Sequence, residues 1–172
     1  MTQITSTSAQ LVSLVDNHGA VYFHDQTKRA FIQINLGDHK EVFECPSSGL
    51  GNWLSHNYYK TCGNVASEAA LKAAMRTLAG IATFDGNLRK LNRRVAIHEE
   101  DFWYDLCDPK MQAVRIMKNS WEIVSNPPPI FRRSQHQATQ VLPASTGDYS
   151  LLDKYLNIES DEERLLLHCT VL

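Results

Sequence analysis

The chain has 172 residues, 43% hydrophobic and 21% charged, which is enough apolar material to build a core without disulfide or metal staples and argues against bulk disorder. Its formal net charge of −2 excludes a general polycation, so any case for nucleic acid must rest on local patches. No run approaches the ~20 apolar residues of a membrane span, the Ser/Thr-rich start lacks a secretory pattern, and Cys45, Cys62, Cys107 and Cys169 form no CxxC pair; the expected setting is the cytoplasm, with reduced thiols and no membrane partner.

Leu11, Val12, Leu14 and Val15 cluster at helical spacing, which predicts a helix over residues 8–17 that stops near Gly19. Three strand-like runs follow. Residues 21–24 are apolar and aromatic, a polar turn spans 25–29, and Phe31, Ile32, Ile34 and Leu36 lead to a Gly37-Asp38 turn. Val42 and Phe43 lie in the third run, which Pro46 stops, so a small antiparallel meander is expected. A helical pair comes next. Leu50, Trp53, Leu54 and Tyr58 share one helix face, Gly63-Asn64 breaks the chain, and Leu71, Ala74, Met75, Leu78 and Ile81 form a second stripe ending near Asp85-Gly86.

From residue 93 to 124 the apolar period switches to two, predicting four strands with short polar gaps, one buried face and one wet face. Asn126 and the prolines 127, 128 and 129 end this sheet. Residues 134–148 have no period and are expected to be a linker. A short helix over residues 150–156 precedes Ser160-Asp161-Glu162-Glu163, a capping box ahead of the apolar run 165–172. That last helix has no stop signal, which suggests that the polypeptide continues. The expected class is α+β: antiparallel meanders, a central helical pair and a C-terminal helical segment. Residues 1–133 form one domain and residues 149–172 begin another.

Motifs for chemistry are sparse. Residues 47–51 are the only glycine-rich spot, and they lack the GxxxxGK[ST] pattern of a phosphate loop. His24-Asp25, His39 and His98-Glu99-Glu100-Asp101 are the metal candidates, but HExxH would need histidine where Phe102 stands. Cys62 or Ser55 beside His56 carries no nucleophile signature. No cofactor, metal or catalytic site is expected. The helical pair followed by strands also fits the outline of a winged helix-turn-helix, although the second helix offers only Lys72 and Arg76 as bases.

The basic residues are more informative. Arg89, Lys90, Arg93 and Arg94 cluster where the helical pair hands over to the second meander, and Arg132 and Arg133 follow the prolines. Residues 89–133 hold nine basic and six acidic side chains, whereas residues 148–164 hold two basic and six acidic, so charge is segregated. These six cations either contact phosphates or form a solvated, salt-bridged rim. Strand alternation places Arg94 with Ala96 and His98 on the expected wet face, and Arg93 with Val95.

The run of residues 88–96 (Leu-Arg-Lys-Leu-Asn-Arg-Arg-Val-Ala), then 102–106 (Phe-Trp-Tyr-Asp-Leu), 121–124 (Trp-Glu-Ile-Val) and 126–133 (Asn-Pro-Pro-Pro-Ile-Phe-Arg-Arg) resembles the region before the ATPase core of phage- and plasmid-type ATP-binding, primase–helicase-like proteins. Leu151-Leu152, Leu156-Asn157-Ile158 and residues 161–167 continue the order, and Tyr22-Phe23-His24-Asp25, Phe31-Ile32 and Trp53-Leu54 are similar to that family's amino-terminal stretch. The resemblance implies a non-catalytic accessory segment joined to a downstream ATPase domain, with DNA and, through the parent protein, further copies as partners. The alternative is a free-standing interaction or regulatory domain without a motor.

Overall fold

The computed structural model describes residues 6–134, 136–148, 151, 154–155, 160–163 and 165. The chain divides into two compact units, Met1–Gln140 and Val141–Leu172.

In the first unit, α1 (Thr7–Asn17) starts at Ser6, whose Oγ accepts from the Ala9 N–H, and turns Leu11, Leu14 and Val15 inward. Strands β1 (Val21–His24), β2 (Ala30–Asn35) and β3 (Lys40–Cys45) form the expected antiparallel meander. Helices α2 (Ser48–Cys62) and α3 (Glu68–Phe84) follow. Ser47 and Ser67 cap their N-termini, and Gly63 closes α2 in the left-handed conformation at φ 68°. All three helices pack on one face of the meander. Ala30, Ile32, Ile34, Phe43 and Cys45 from the sheet meet Leu11, Val15, Leu50, Leu54, Tyr58, Ala74, Leu78 and Ala82 there.

Gly86 decides what happens next. A Cβ at this position would lie 2.3 Å from the Ala82 carbonyl oxygen and 2.9 Å from Phe23 Cα. Only glycine lets the chain leave α3 so close to β1 and add β4 (Asn87–Leu88) as a parallel fourth strand, in the order β3-β2-β1-β4. The sequence pattern had no room for this two-residue strand. Nor did it reveal the pairing of β5 (Leu91–Asn92) with β10 (Ile130–Phe131), a parallel contact between segments some forty residues apart.

Strands β6 (Val95–His98), β7 (Asp101–Asp105), β8 (Gln112–Ile116) and β9 (Trp121–Ser125) form the second meander, antiparallel throughout. Two bonds from Asn126 join its end to the first sheet: Oδ1 accepts from the Lys40 N–H at 2.9 Å, and Nδ2 donates to the Asp38 carbonyl at 3.1 Å. The chain beyond β10 runs back along this meander. Gln140 N–H donates to the Leu106 carbonyl, Thr139 Oγ1 to the Cys107 carbonyl, and Gln137 Nε2 to the Arg93 carbonyl. The boundary between the units therefore falls after Gln140, inside the stretch without sequence period.

In the second unit, Asp161–Glu163 and Leu165 are helical and Ser160 Oγ accepts from the Glu163 N–H at 3.2 Å, as the capping-box spacing predicts. The rest of the apolar run 166–172 lies outside the described residues, as does most of the helix expected over 150–156. The α+β class stands, with antiparallel sheets and a pair of longer helices. No helix of the described residues is long and apolar enough to cross a membrane.

Candidate functional site

The six basic residues singled out in the sequence land in four environments. Arg133 faces inward from the end of β10, while Arg132 beside it stays half-exposed. Arg132 pairs with Glu44 on β3 at 2.5 Å and lies over the Phe31 ring, 5.8 Å from its centroid. Arg133 grips Asp105, which is 1% exposed, with Nη2 on one carboxylate oxygen at 2.5 Å and Nε on the other at 3.1 Å. Its Nη1 also donates to the Asp108 carbonyl. This two-pronged pair neutralises a carboxylate that the fold has taken out of water.

Arg89 lies over Phe23, 5.7 Å from the ring centroid, while its backbone N–H donates to the His24 carbonyl. Phe23 and Phe31 are opposite one another on β1 and β2, stacked at 5.6 Å, and both are fully buried. Arginines thus cover the face of the first sheet that the helices leave open. A cleft of about 310 Å³ opens beside them, lined by Lys40, Arg89, Asp105, Arg133 and the prolines 127–129.

Lys90 and Arg93 are exposed, but Arg94 is not. Its guanidinium donates to the carbonyls of Asp105 and Ala138 at 3.2 and 3.3 Å and covers Tyr104. This reverses the expected facing, in which Arg94 was to be the open residue of the pair. The cause lies in the second meander itself, whose buried and open faces are opposite to those expected.

The side packed against the rest of the unit carries Ala96, Trp103 and Ala113, with Val124 and Phe131 against them. Further along it, Arg115 bonds to Asp101 at 2.7 Å and Glu122 at 3.2 Å and lies over the Trp103 ring. The other side is apolar and open. The register sets two rows across all four strands: Val95, Tyr104, Val114 and Ile123, then Ile97, Phe102, Ile116 and Trp121. Six of these eight side chains are between 37% and 61% exposed. Neither row contains a charge. Sequence reasoning missed this surface because alternation favours burying the apolar set of Val95, Ile97 and Phe102, whereas the structure buries the set of Ala96 and Trp103, which also carries His98, Asp101, Arg115 and Glu122.

Among the described residues, no group of three or more His, Cys, Asp or Glu side chains converges as a metal ion would require. The His24 ring contacts Lys28 Nζ and the Asp25 carbonyl, and Asp25 organises the β1–β2 turn by accepting from Thr27 and Arg29. Ser55 Oγ donates to the Gly51 carbonyl within its own helix. No protein-family model matches the chain, and neither does any curated protein or solved structure.

Proposed function

We propose that this chain is a non-catalytic accessory domain that works by binding a macromolecular partner, and the observation that carries this reading is the open apolar face of β6–β9. Six side chains of that face stay open in the folded chain, outside the sheet's own core. Its opposite side holds a small core, the Asp105–Arg133 pair anchors one end, and Asn126 ties it to the first sheet. An apolar patch of several hundred Å² left open in the folded chain is the mark of an interaction surface.

The family resemblance supplies a setting: an accessory segment of a mobile-element ATPase or helicase-like protein, where the face would seat the motor or assist its assembly. A free-standing interaction or regulatory domain would use the same face. A reading frame that continues past Leu172 into GxxxxGK[ST] favours the first setting, and a stop codon favours the second. In either setting the isolated chain should neither hydrolyse ATP nor bind it at micromolar concentration.

Phe102→Glu tests the surface itself. In a chain diluted to the monomer, this change should alter the unfolding free energy by no more than about 0.5 kcal/mol, the usual range for surface positions. A loss of about 2 kcal/mol or more would make the face part of the chain's own core and would end the reading.

Direct contact with nucleic acid is a second reading, favoured by the exposure of Lys90 and Arg93 close in sequence to Arg89. It rests on these three residues and the half-exposed Arg132, because the guanidiniums of Arg94 and Arg133 already hold internal acceptors.

A further inference from the structure

The open face of the second meander has the properties of half a β-sandwich. Arg94 and Gln140 cover Tyr104 at one edge and Val114 is buried, but the six side chains left open are all apolar or aromatic, so an identical open patch meets no charge of its own kind across the contact. The six most open side chains leave roughly 500–600 Å² of apolar surface per copy, taking ~150–250 Å² for a fully open large side chain. Two copies would therefore bury about 1,000–1,200 Å² from these residues alone. The surrounding turns carry the total into the range of about 1,200–2,000 Å² seen for specific interfaces.

The turns supply an orientation. The β6–β7 turn presents Glu99 and Glu100, and the β8–β9 turn presents Lys118, all exposed. Both turns lie at the same end of the sheet, one over each half, because β6 and β8 run in the same direction in the order β6-β7-β8-β9. A two-fold axis parallel to the strands and lying between two such sheets would set β6 of one copy over β9 of the other. That arrangement brings Glu99 and Glu100 of each copy toward Lys118 of its partner, twice, at one end of the sandwich. It also keeps the strands of the two sheets within the ~30° that aligned sheets adopt, about 10 Å apart.

Resting on the reading of this face as a binding surface, we infer that its occupant is a second copy of the same chain: the domain forms a symmetric dimer by closing two second meanders into a β-sandwich. Motor assembly through such a pair would give the accessory domain its role.

Sedimentation equilibrium of the full chain, with acrylamide quenching of Trp121 read by difference against W121F, tests this. The expected result is a concentration-dependent dimer in which Trp121 becomes shielded as the dimer forms. F102E should weaken association by at least about 100-fold, since it places an unpaired charge in the contact, while circular dichroism reports an intact fold. E99K/E100K and K118E should each weaken self-association by about 3–10-fold at low salt, consistent with exposed ion pairs. An equimolar mixture of the two variants should recover the wild-type affinity, because each acidic turn then meets a basic one. A dimer insensitive to F102E, or variants whose mixture does not recover affinity, would overturn the proposed arrangement. A monomer at 100 µM with Trp121 open to quencher would overturn the second copy and leave the binding surface for a different partner. A monomer with Trp121 shielded would overturn both, because the chain would then cover its own face.

Discussion

Replacing Arg133 by alanine should be among the most destabilising single changes in the chain. The perturbation removes a guanidinium that contacts both carboxylate oxygens of Asp105 and the Asp108 carbonyl. Asp105 is 1% exposed, and among the described residues the Cys107 N–H at 3.2 Å is then the donor left to its carboxylate. Breaking a buried pair from one side costs about 3–5 kcal/mol, because the stranded charge cannot regain water. Domains hold only about 5–15 kcal/mol in total, so R133A should lower the melting temperature by roughly 6–20 °C or abolish folding. The assay is urea unfolding followed by circular dichroism, with D105L/R133M as the control. This double change removes both charges and keeps apolar volume, so it should retain far more stability than R133A alone. If R133A costs less than 1 kcal/mol, the buried-pair argument is wrong. If R133A instead folds normally and loses nucleic-acid affinity, the arginine serves a ligand rather than Asp105.

Gly86→Ala should cost about 2–3 kcal/mol, since its Cβ would press on backbone atoms of Ala82 and Phe23 that cannot swing aside; an unchanged denaturation midpoint would refute the close approach. Burial opposes the charge on Asp25, but hydrogen bonds from Thr27 and Arg29 outweigh it and hold the carboxyl at about 2, below its ordinary 3.8. The stabilisation is therefore complete above pH about 4 and fades as pH falls through 2, so the stability gap between wild type and Asp25→Asn should close over that interval in acid titrations. A gap that stays constant down to pH 2 would remove Asp25 as its source. If the basic strip contacts DNA, Arg93→Ala should flatten the log–log salt dependence of binding by up to about 0.9, whereas Arg94→Ala should act mainly on stability; equal salt slopes for wild type and R93A would leave Arg93 as a solvated cation.

Local signals in the sequence determined much of the scaffold. The stripes of Leu50, Leu54 and Tyr58 and of Ala74 and Leu78 settle α2 and α3, because a 3.6-residue period with a capping serine leaves a helix one face to bury. The first meander was equally legible: its turns at Asp25–Arg29 and Gly37-Asp38 are chemical stop signals. The strands of the second meander could be read as well, from their two-residue period. Which of its faces is buried could not. Alternation favours the apolar set of Val95, Ile97 and Phe102 for the core, since the other set carries Arg94, His98, Asp101, Arg115 and Glu122. The opposite set is the one covered, with Trp103 and its alanines packed with Phe131 and Arg115 paired to Asp101 and Glu122, and that outcome depends on what arrives from elsewhere in the chain. That arrival was decided by pairings across long separations: β10 with β5, Asn126 with the β2–β3 turn, and Arg133 with Asp105. Each joins groups whose mutual attraction leaves no local period. The same contacts draw Arg133 inward, pair Arg132 with Glu44 and leave Arg93 in water. A count of charges along the chain treats all of these cations alike, and only the position of Asp105 and Glu44 in space tells a structural arginine from a free one.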